Sequence, residues 1–473
     1  MKRVLIHTFG CQMNAHDSQR IEQVLGEAGY ATTAEAERAD LIVFNTCSVR
    51  EKAEHKLMSA VGTLRPLKQA RPELQIAVAG CVAQQHGPAL LQRLKLVDVL
   101  VGPDNIRALP GLLGEARDSG RAQAQTVHDL AEPDFLATGP TGPAGGAVVS
   151  AAPVSAYVTV MKGCDERCSF CIVPHTRGSE RYRPAGAIVD EVRTFVQRGA
   201  REVTLLGQTV NSWHEPGEGE SSRSDDSRFA ELLRRIAEVP DLARLRYTSP
   251  HPRHVTPALV AAHAELEVLP AHVHLPVQSG SDRVLKRMIR RYRRADYIER
   301  ARRLMAAREG LTLSTDLIVG FPGETEEDFA ETLSLVREVG FVAAFAFKYS
   351  PRPYTPALAL GDDVPEEVKG ERLSRLFEVV ESQQYAHLQT LVGSRTRVLF
   401  EGPSKGGDGA HVGRSERHEI VHVRCPPGID PTGQLLEVEI VEAHRHSVSA
   451  ELRQQPAPAA ARRGGRSLPL VVA

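Results

Sequence analysis

The chain has 473 residues, which at ~150 residues per domain corresponds to about three domains and several buried cores. Hydrophobic residues at 42% and charged residues at 25% exclude wholesale disorder, collagen-like repeats and a coiled coil. Lysine and arginine total 58 against 59 aspartate and glutamate, a net charge of −1, so nucleic acid must be held by local patches rather than by an overall basic surface.

The N-terminus is basic and then apolar, but His7 and Gly10 cut the apolar stretch short, so it reads as a first strand and not a signal peptide. No run of ~18 uncharged apolar residues occurs, which argues against a membrane span. Up to residue 137, strands are predicted at 4–9, 41–45, 76–79 and 97–101, with helical patterns at 18–28 and 51–67. Val/Ile-rich strands alternating with helices indicate an open parallel α/β domain. Residues 138–156, rich in Gly, Pro and Ala with almost no charge, have linker composition. A second series follows over 157–390, with strands at 157–161, 202–206, 245–248, 272–275, 313–319 and 342–348 and helices such as 187–198, 229–237 and 325–338. Six strand–helix repeats predict a partial (βα)6 barrel whose loops gather at the C-terminal strand edge. An acidic Ser/Gly-rich interruption at 215–227 reads as a mobile surface loop. After a Glu/Gln-rich helix at 367–391, alternating segments at 396–400, 419–423 and 436–441 predict a small antiparallel β-barrel over 391–454. The Pro/Ala/Arg-rich remainder, 455–473, reads as a disordered tail.

Seven cysteines, an odd and thinly spread set, make no disulfide framework and point to the reducing cytoplasm. Cys11, Cys47 and Cys81 each follow a predicted strand, in Phe9-Gly10-Cys11, Asn45-Thr46-Cys47 and Ala79-Gly80-Cys81. In a parallel sheet these strand ends share one edge, where open α/β folds bind ligands. Gly10 and Gly80 let the backbone approach a bulky group. Three unrelated buried thiols remain the plain alternative, since free cysteine is commonly buried. A second set, Cys164-x-x-x-Cys168-x-x-Cys171, follows the first strand of the second series, with Phe170 before its last member. Three thiolates in one loop suit three irons of a 4Fe–4S cube and leave the fourth open. With His175 as a fourth ligand, they also suit a Cys3His zinc site. Cys425 is left over.

Cys164-x-x-x-Cys168-x-x-Cys171 with Phe170 resembles the radical S-adenosylmethionine (SAM) signature. The accompanying motifs resemble those of the methylthiotransferases: Gly10-Cys11-Gln12-Met13-Asn14, Asn45-Thr46-Cys47-Ser48-Val49-Arg50-Glu51, Gly80-Cys81-Val82-Ala83-Gln84, Thr176-Arg177-Gly178-x-Glu180, Leu206-Gly207-Gln208, Leu275-Pro276-Val277-Gln278-Ser279-Gly280 and Gly320-Phe321-Pro322-Gly323-Glu324-Thr325. Gln12-Met13-Asn14 and Gln208-x-x-Asn211 resemble the branch that acts on tRNA rather than on ribosomal protein. Thr209 and Trp213 stand where that branch usually has Asn and Tyr, and Pro353-Tyr354-Thr355 where it usually has Pro-Gly-Thr.

The resemblance implies a cytoplasmic enzyme that places a methylthio group at C2 of an N6-prenylated adenosine just 3′ of the tRNA anticodon. It implies two 4Fe–4S clusters, one on Cys11, Cys47 and Cys81 for sulfur delivery and one on Cys164, Cys168 and Cys171 that binds SAM and generates a 5′-deoxyadenosyl radical. An unactivated purine carbon is beyond acid–base chemistry, and cofactors must carry the step. Around SAM it implies Phe170 on the adenine, Gly207 and Gln208 near the amino group, and Gln278, Ser279 and the 318–324 segment on the ribose and adenine side. Glu180 is a SAM contact or, with Arg177, a structural ion pair. The 320–325 motif also reads as a turn with Thr325 as helix N-cap and Asp328 as its acidic partner. The C-terminal module resembles the OB-like TRAM domain, through Glu401-Gly402-Pro403-Ser404-Lys405 and Gly413-Arg414-Ser415, with Lys405 and Arg414 as phosphate contacts. A basic run, Arg287, Arg290, Arg291, Arg293 and Arg294 with Tyr292, is a second RNA patch or a solvated helix end. The implied partners are tRNA, a reduced flavodoxin- or ferredoxin-type electron donor and a sulfur donor, with no membrane and a monomeric state. A non-catalytic RNA-binding protein stapled by metal, or the same chemistry on threonylcarbamoyl-adenosine or a ribosomal-protein aspartate, are the rival readings.

Overall fold

The computed structural model describes residues 1–48, 51–128, 135, 153–217, 228–406, 409–426, 428–454 and 456. The expected linker up to 152, most of the acidic loop and nearly all of the tail lie outside these residues, as do Val49 and Arg50. Six parallel strands, β1 (Lys2–Phe9), β2 (Tyr30–Thr32), β3 (Leu41–Thr46), β4 (Gln75–Ala79), β5 (Val99–Val101) and β6 (Gln123–Gln125), form the first sheet. Their order is β2-β1-β3-β4-β5-β6, so the chain changes direction across the sheet between β1 and β3. The middle strands are apolar on both faces because helices cover both. Leu41, Val43, Ala77 and Val99 pack toward the helices Gln12–Glu27 and Leu109–Ser119, while Ile42, Phe44, Ile76 and Val78 pack toward Glu51–Thr63 and Cys81–His86. The helix expected over 51–67 is broken at Leu64, and Pro66 sits in the first turn of its successor, Arg65–Ala70.

The second series supplies β7 (Ser155–Thr159), the short antiparallel pair β8 (Met161–Lys162) and β9 (Arg181–Tyr182), then β10 (Glu202–Leu206), β11 (Arg244–Tyr247), β12 (His272–His274), β13 (Thr312–Val319) and β14 (Ala343–Lys348). Ser155 and Ala156, placed at the end of the expected linker, already pair with Glu202 and Val203. Six of these strands run parallel in chain order, as the sheets β7-β10-β11 and β12-β13-β14. One backbone bond near the seam, from Leu245 N–H to the Val268 carbonyl at 2.8 Å, helps to close the wall between β11 and β12. Among the described residues β14 does not pair back to β7, so this is an open (βα)6 barrel. Val158, Val203, Leu245, Val273, Leu317 and Ala346 lie in one core with the surrounding helices. By strand alternation Tyr157, Thr204, Arg246, His274, Asp316 and Phe345 point to the opposite, inner side.

After the helix Glu366–Thr390, β15 (Arg395–Pro403), β16 (Ala410–Arg414), β17 (Ile420–Arg424), β18 (Leu435–Ala443) and β19 (Val448–Leu452) close a barrel in the order β15-β16-β17-β19-β18. Four pairings are antiparallel and the β17–β19 pairing that completes the ring is parallel. Its core is Val398, Phe400, Val421, Val423, Val438, Ile440 and Val448. The module is bolted to the partial barrel by Arg244, whose guanidinium donates to the Arg414 and Arg397 carbonyls at 2.6 and 2.9 Å. No helix among the described residues is long and apolar enough to cross a membrane.

Candidate metal centres and their surroundings

Cys11, Cys47 and Cys81 follow β1, β3 and β4, and therefore straddle the β1/β3 direction change at the C-terminal sheet edge. Cys11 is the N-cap of the helix Gln12–Glu27. Cys47 lies within hydrogen-bonding reach of it, and the Cys47 N–H donates to the Phe9 carbonyl at 2.8 Å. That contact with Cys47, helped by the Asn14 backbone and Arg177, holds the Cys11 thiol down at about 6. Burial pushes the Cys81 thiol up, and the nearby Arg177 opposes that push. Asn14 and Asn45 lock the edge: Asn14 Nδ2 donates to Asn45 Oδ1 at 3.1 Å, and Asn45 Nδ2 donates to the Asn14 carbonyl at 2.8 Å. Gly80 has φ +92°, and a Cβ there would strike Asn45 and the Thr46 backbone, so glycine is required where β4 turns into Cys81.

Cys164, Cys168 and Cys171 lie in the loop after β8. The Cys171 N–H donates to the Cys168 carbonyl at 3.1 Å, and the Cys164 N–H to the Gly178 carbonyl at 3.1 Å. Gly163, at φ +81°, runs so close to Ser179 that no side chain fits. Thr209 Oγ1 lies 3.1 Å from the Cys164 sulfur, so this departure from the family pattern touches a cluster cysteine. Burial raises the Cys164 thiol strongly and the Cys171 thiol to about 12. Thiols held this high give up their protons when a metal takes their place, which couples loading to proton release. A zinc ion at ~2.3 Å from each sulfur would draw its ligands to within ~4 Å of one another. Among the described residues neither trio, nor the second trio with His175, gathers all its ligand atoms within 4.8 Å. His175 instead has its ring 5.6 Å from that of Tyr354. The open spacing and the all-thiol donor set fit an iron–sulfur cube in preference to a single ion. Glu166, His251 and His254 do gather that closely, but Glu166 Oε1 is already 3.5 Å from Arg253 and 3.2 Å from His254. Arg290, Arg253 and Arg300 further surround His251 with positive charge, which opposes a cation.

The two trios belong to different domains, and buried charges join them. Arg177, on the short helix Val173–Arg177 just after Cys171, donates Nε to the Cys81 sulfur at 3.3 Å and Nη2 to Asp17 Oδ2 at 2.5 Å. Asp104 receives Lys162 and Arg181 at 3.2 and 2.8 Å, and Glu191 receives Arg20 at 2.7 Å and also Arg183. The N-terminal trio is thereby held against the loop that carries the second trio.

The expected ion pair between Arg177 and Glu180 does not form, because Arg177 is engaged across the domain interface. Glu180 instead accepts from Tyr182, from Ser212 at 3.1 Å and from the Asp165 N–H at 3.3 Å, and burial raises its pKa. Gln208 Oε1 accepts from the Gly163 N–H at 2.5 Å, which leaves its buried Nε2 without a partner. The free end of this amide is therefore a hydrogen-bond donor beside the loop of the second trio. Gly207 packs against Met161, and Phe170 makes an edge contact with Phe321 at 6.5 Å. Gln278 holds a left-handed backbone at φ +76° where β12 and β13 are bridged. Ser279 is fully buried, its hydroxyl 3.4 Å from Thr332, so it braces a helix. Thr325 and Asp328 form the expected capping box.

One RNA expectation is corrected. Arg290 is buried, donating to the Cys168 sulfur at 3.3 Å, the Pro276 carbonyl at 3.1 Å and the Tyr292 hydroxyl at 2.9 Å, so it serves the second trio and not a phosphate. Arg414 is half-buried, 3.6 Å from Glu401, and donates to the His418 carbonyl at 3.3 Å. Arg287 and Arg294 are likewise engaged, with the Pro322 and Glu331 carbonyls. Arg291, Arg293 and Lys405 stay exposed. Sequence reasoning missed Asp17, the place of Thr209 against Cys164 and the thiol-directed role of Arg290; the charge run around Arg290 hid it among surface residues.

Residues 3–102 match the family described as uncharacterized protein family UPF0004, and residues 158–336 match the radical SAM superfamily. A tRNA-2-methylthio-N(6)-dimethylallyladenosine synthase of Sorangium cellulosum (strain So ce56) is 59% identical over 497 aligned positions, covering 100% of this chain and 99% of that one. One of Burkholderia cenocepacia (strain HI2424), with the same name, is 43% identical over 456 positions, covering 95% and 97%. A solved radical S-adenosylmethionine methyltransferase from Kitasatospora setae, with cobalamin and a 4Fe-4S cluster bound, shares the fold at 14% identity and TM-score 0.50, over 76% of this chain and 77% of that one. With full-length relatives at such identity, and with each family match falling on one thiol-bearing domain, the chain belongs to the tRNA-2-methylthio-N(6)-dimethylallyladenosine synthase family of radical SAM enzymes.

Proposed function

We propose that the chain places a methylthio group at C2 of an N6-prenylated adenosine immediately 3′ of the tRNA anticodon, using SAM, a 4Fe–4S cluster on Cys164, Cys168 and Cys171, and a second cluster on Cys11, Cys47 and Cys81. The observation that carries this reading is Arg177, which starts from the loop of one trio and touches Cys81 of the other at 3.3 Å. When bound, the clusters and SAM supply the radical and sulfur chemistry that an unactivated purine carbon requires. The chain's own part is to hold and orient. Arg290 and Thr209 lie against Cys168 and Cys164, Gln208 offers its amide nitrogen, and the Asn14–Asn45 lock fixes the N-terminal edge. The β-barrel at 395–452 acts as a TRAM-type RNA module through Lys405, with Arg291 as a further contact, and the unpaired adenine leaves its loop stack cheaply. The enzyme works in the cytoplasm as a monomer, with a reduced flavodoxin or ferredoxin and a separate sulfur donor.

The test uses anaerobically reconstituted protein, SAM, reductant and prenylated tRNA. Cys168→Ala abolishes 5′-deoxyadenosine formation, whereas Cys47→Ala retains it and yields no methylthiolated nucleoside by mass spectrometry. Product from either variant refutes the assignment. A methylthio mark on threonylcarbamoyl-adenosine, with none on prenyl-adenosine, refutes the substrate.

A further inference from the structure

Tyr354 is the third residue of a turn from Arg352 to Thr355, with Pro353 at the second position. Its φ is +65°, and the Thr355 N–H and hydroxyl both donate to the Arg352 carbonyl, at 3.4 and 2.7 Å. A turn with proline second and a left-handed third residue is the type II pattern, which favours glycine at that third place. A bulky aromatic there is an outlier that costs free energy, and such outliers gather at functional sites. Burial does not compensate, since the Tyr354 side chain is 65% exposed. The surrounding structure imposes the conformation: Thr355 and Ala357 are buried, and the Ala357 N–H donates to the Ser169 carbonyl at 2.8 Å, inside the loop of the second trio.

The turn follows β14 at the C-terminal edge of the partial barrel, the edge from which the loop of the second trio leaves. The imidazole of His175, four residues beyond Cys171, is 5.6 Å from the Tyr354 ring at an interplanar angle of 36°. Arg352, in the same turn, is close enough to act electrostatically on Glu54 of the N-terminal domain. An exposed aromatic face is thus fixed on the rim where both domains meet. An extruded adenine leaves its neighbours in the anticodon loop unstacked, and aromatic faces are what unpaired bases stack upon.

We propose that Tyr354 is a stacking platform for an unpaired base flanking the modified adenosine of the RNA. This rests on the tRNA reading above. A base laid on the ring recovers part of the stacking that extrusion of its neighbour destroys. It thereby holds the loop in register over the second trio.

The experiment measures affinity of the reconstituted protein for a prenylated anticodon stem-loop, together with thermal stability. Tyr354→Gly removes the ring and suits the backbone, so stability stays at or above wild type while RNA binding weakens roughly fivefold to a hundredfold. Tyr354→Phe keeps wild-type affinity, and Tyr354→Leu, which has bulk without a π face, falls with the glycine variant. Tyr354→Trp shows fluorescence quenching on RNA addition above that of wild type, whose one tryptophan, Trp213, is buried. Unchanged affinity in the glycine variant, or a leucine variant as good as tyrosine, overturns the proposal and leaves the tRNA reading intact. Failure of the wild type to bind any stem-loop overturns both.

Discussion

Glu191 offers a way to separate the two centres without touching a cysteine. Its carboxylate accepts Arg20 at 2.7 Å from the helix that Cys11 caps, and also accepts Arg183 of its own domain. The Arg20 and Glu191 side chains are 4% and 2% exposed, so water cannot replace the contact. Glu191→Gln leaves two buried guanidiniums facing a neutral amide, and loss of one partner of a buried ion pair costs about 3–5 kcal/mol. The Asp17–Arg177 and Asp104 contacts remain, so the Arg20 share of the loss falls on docking, while the Arg183 share falls on the second domain itself. A loss of about 3 kcal/mol lowers the docked-to-undocked ratio roughly a hundredfold. Two activities then diverge. SAM cleavage, which needs only the partial barrel, stays within about threefold of wild type, while methylthiolated tRNA falls more than about tenfold. Hydrogen exchange of the helix Gln12–Glu27 speeds up in parallel. Equal loss of both activities refutes the reasoning, and so does retention of both together with full amide protection.

Two further outcomes follow from single residues. Lys405→Gln weakens tRNA binding without regard to sequence and reduces the slope of log affinity against log salt by about 0.7–0.9, measured by filter binding across a salt series; an unchanged slope removes Lys405 from the interface. His263, fully enclosed with Tyr247 at 2.6 Å, is drawn by burial from 6.5 down to about 4. Because the folded value lies below the unfolded one, its contribution is intact above 6.5 and is lost as pH falls from there toward 4, by about 3 kcal/mol. Denaturant titrations of wild type and His263→Gln therefore converge by that amount over this range, and parallel curves contradict it.

The barrel strands were legible because their signal is covalent and local. Each is a short segment with apolar residues on one face, and 202–206 and 229–237 coincide with the observed β10 and the helix Phe229–Ala237. The strands that escaped, β2, β6, β9, β16 and β19, are short or polar: Gln123-Ala124-Gln125 and Val448-Ser449-Ala450 carry too little apolar pattern and exist because a neighbour supplies the pairing. The cysteines were legible for a related reason, since a strand end fixes where a thiol points whatever the rest of the chain does. Charges were not. Arg287, Arg290, Arg291, Arg293 and Arg294 read alike along the chain, yet one touches a sulfur, two brace carbonyls and two meet solvent. The fate of a guanidinium depends on partners remote in the chain, as far as Cys168 for Arg290 and Asp17 for Arg177. The fold therefore follows from periodicity, whereas the charges that surround the sulfurs follow only from closure of one domain upon another. That same closure brings Cys81 against Arg177 from the loop of the other trio, and Glu191, which receives Arg20 across the same boundary, is the contact whose removal tests it.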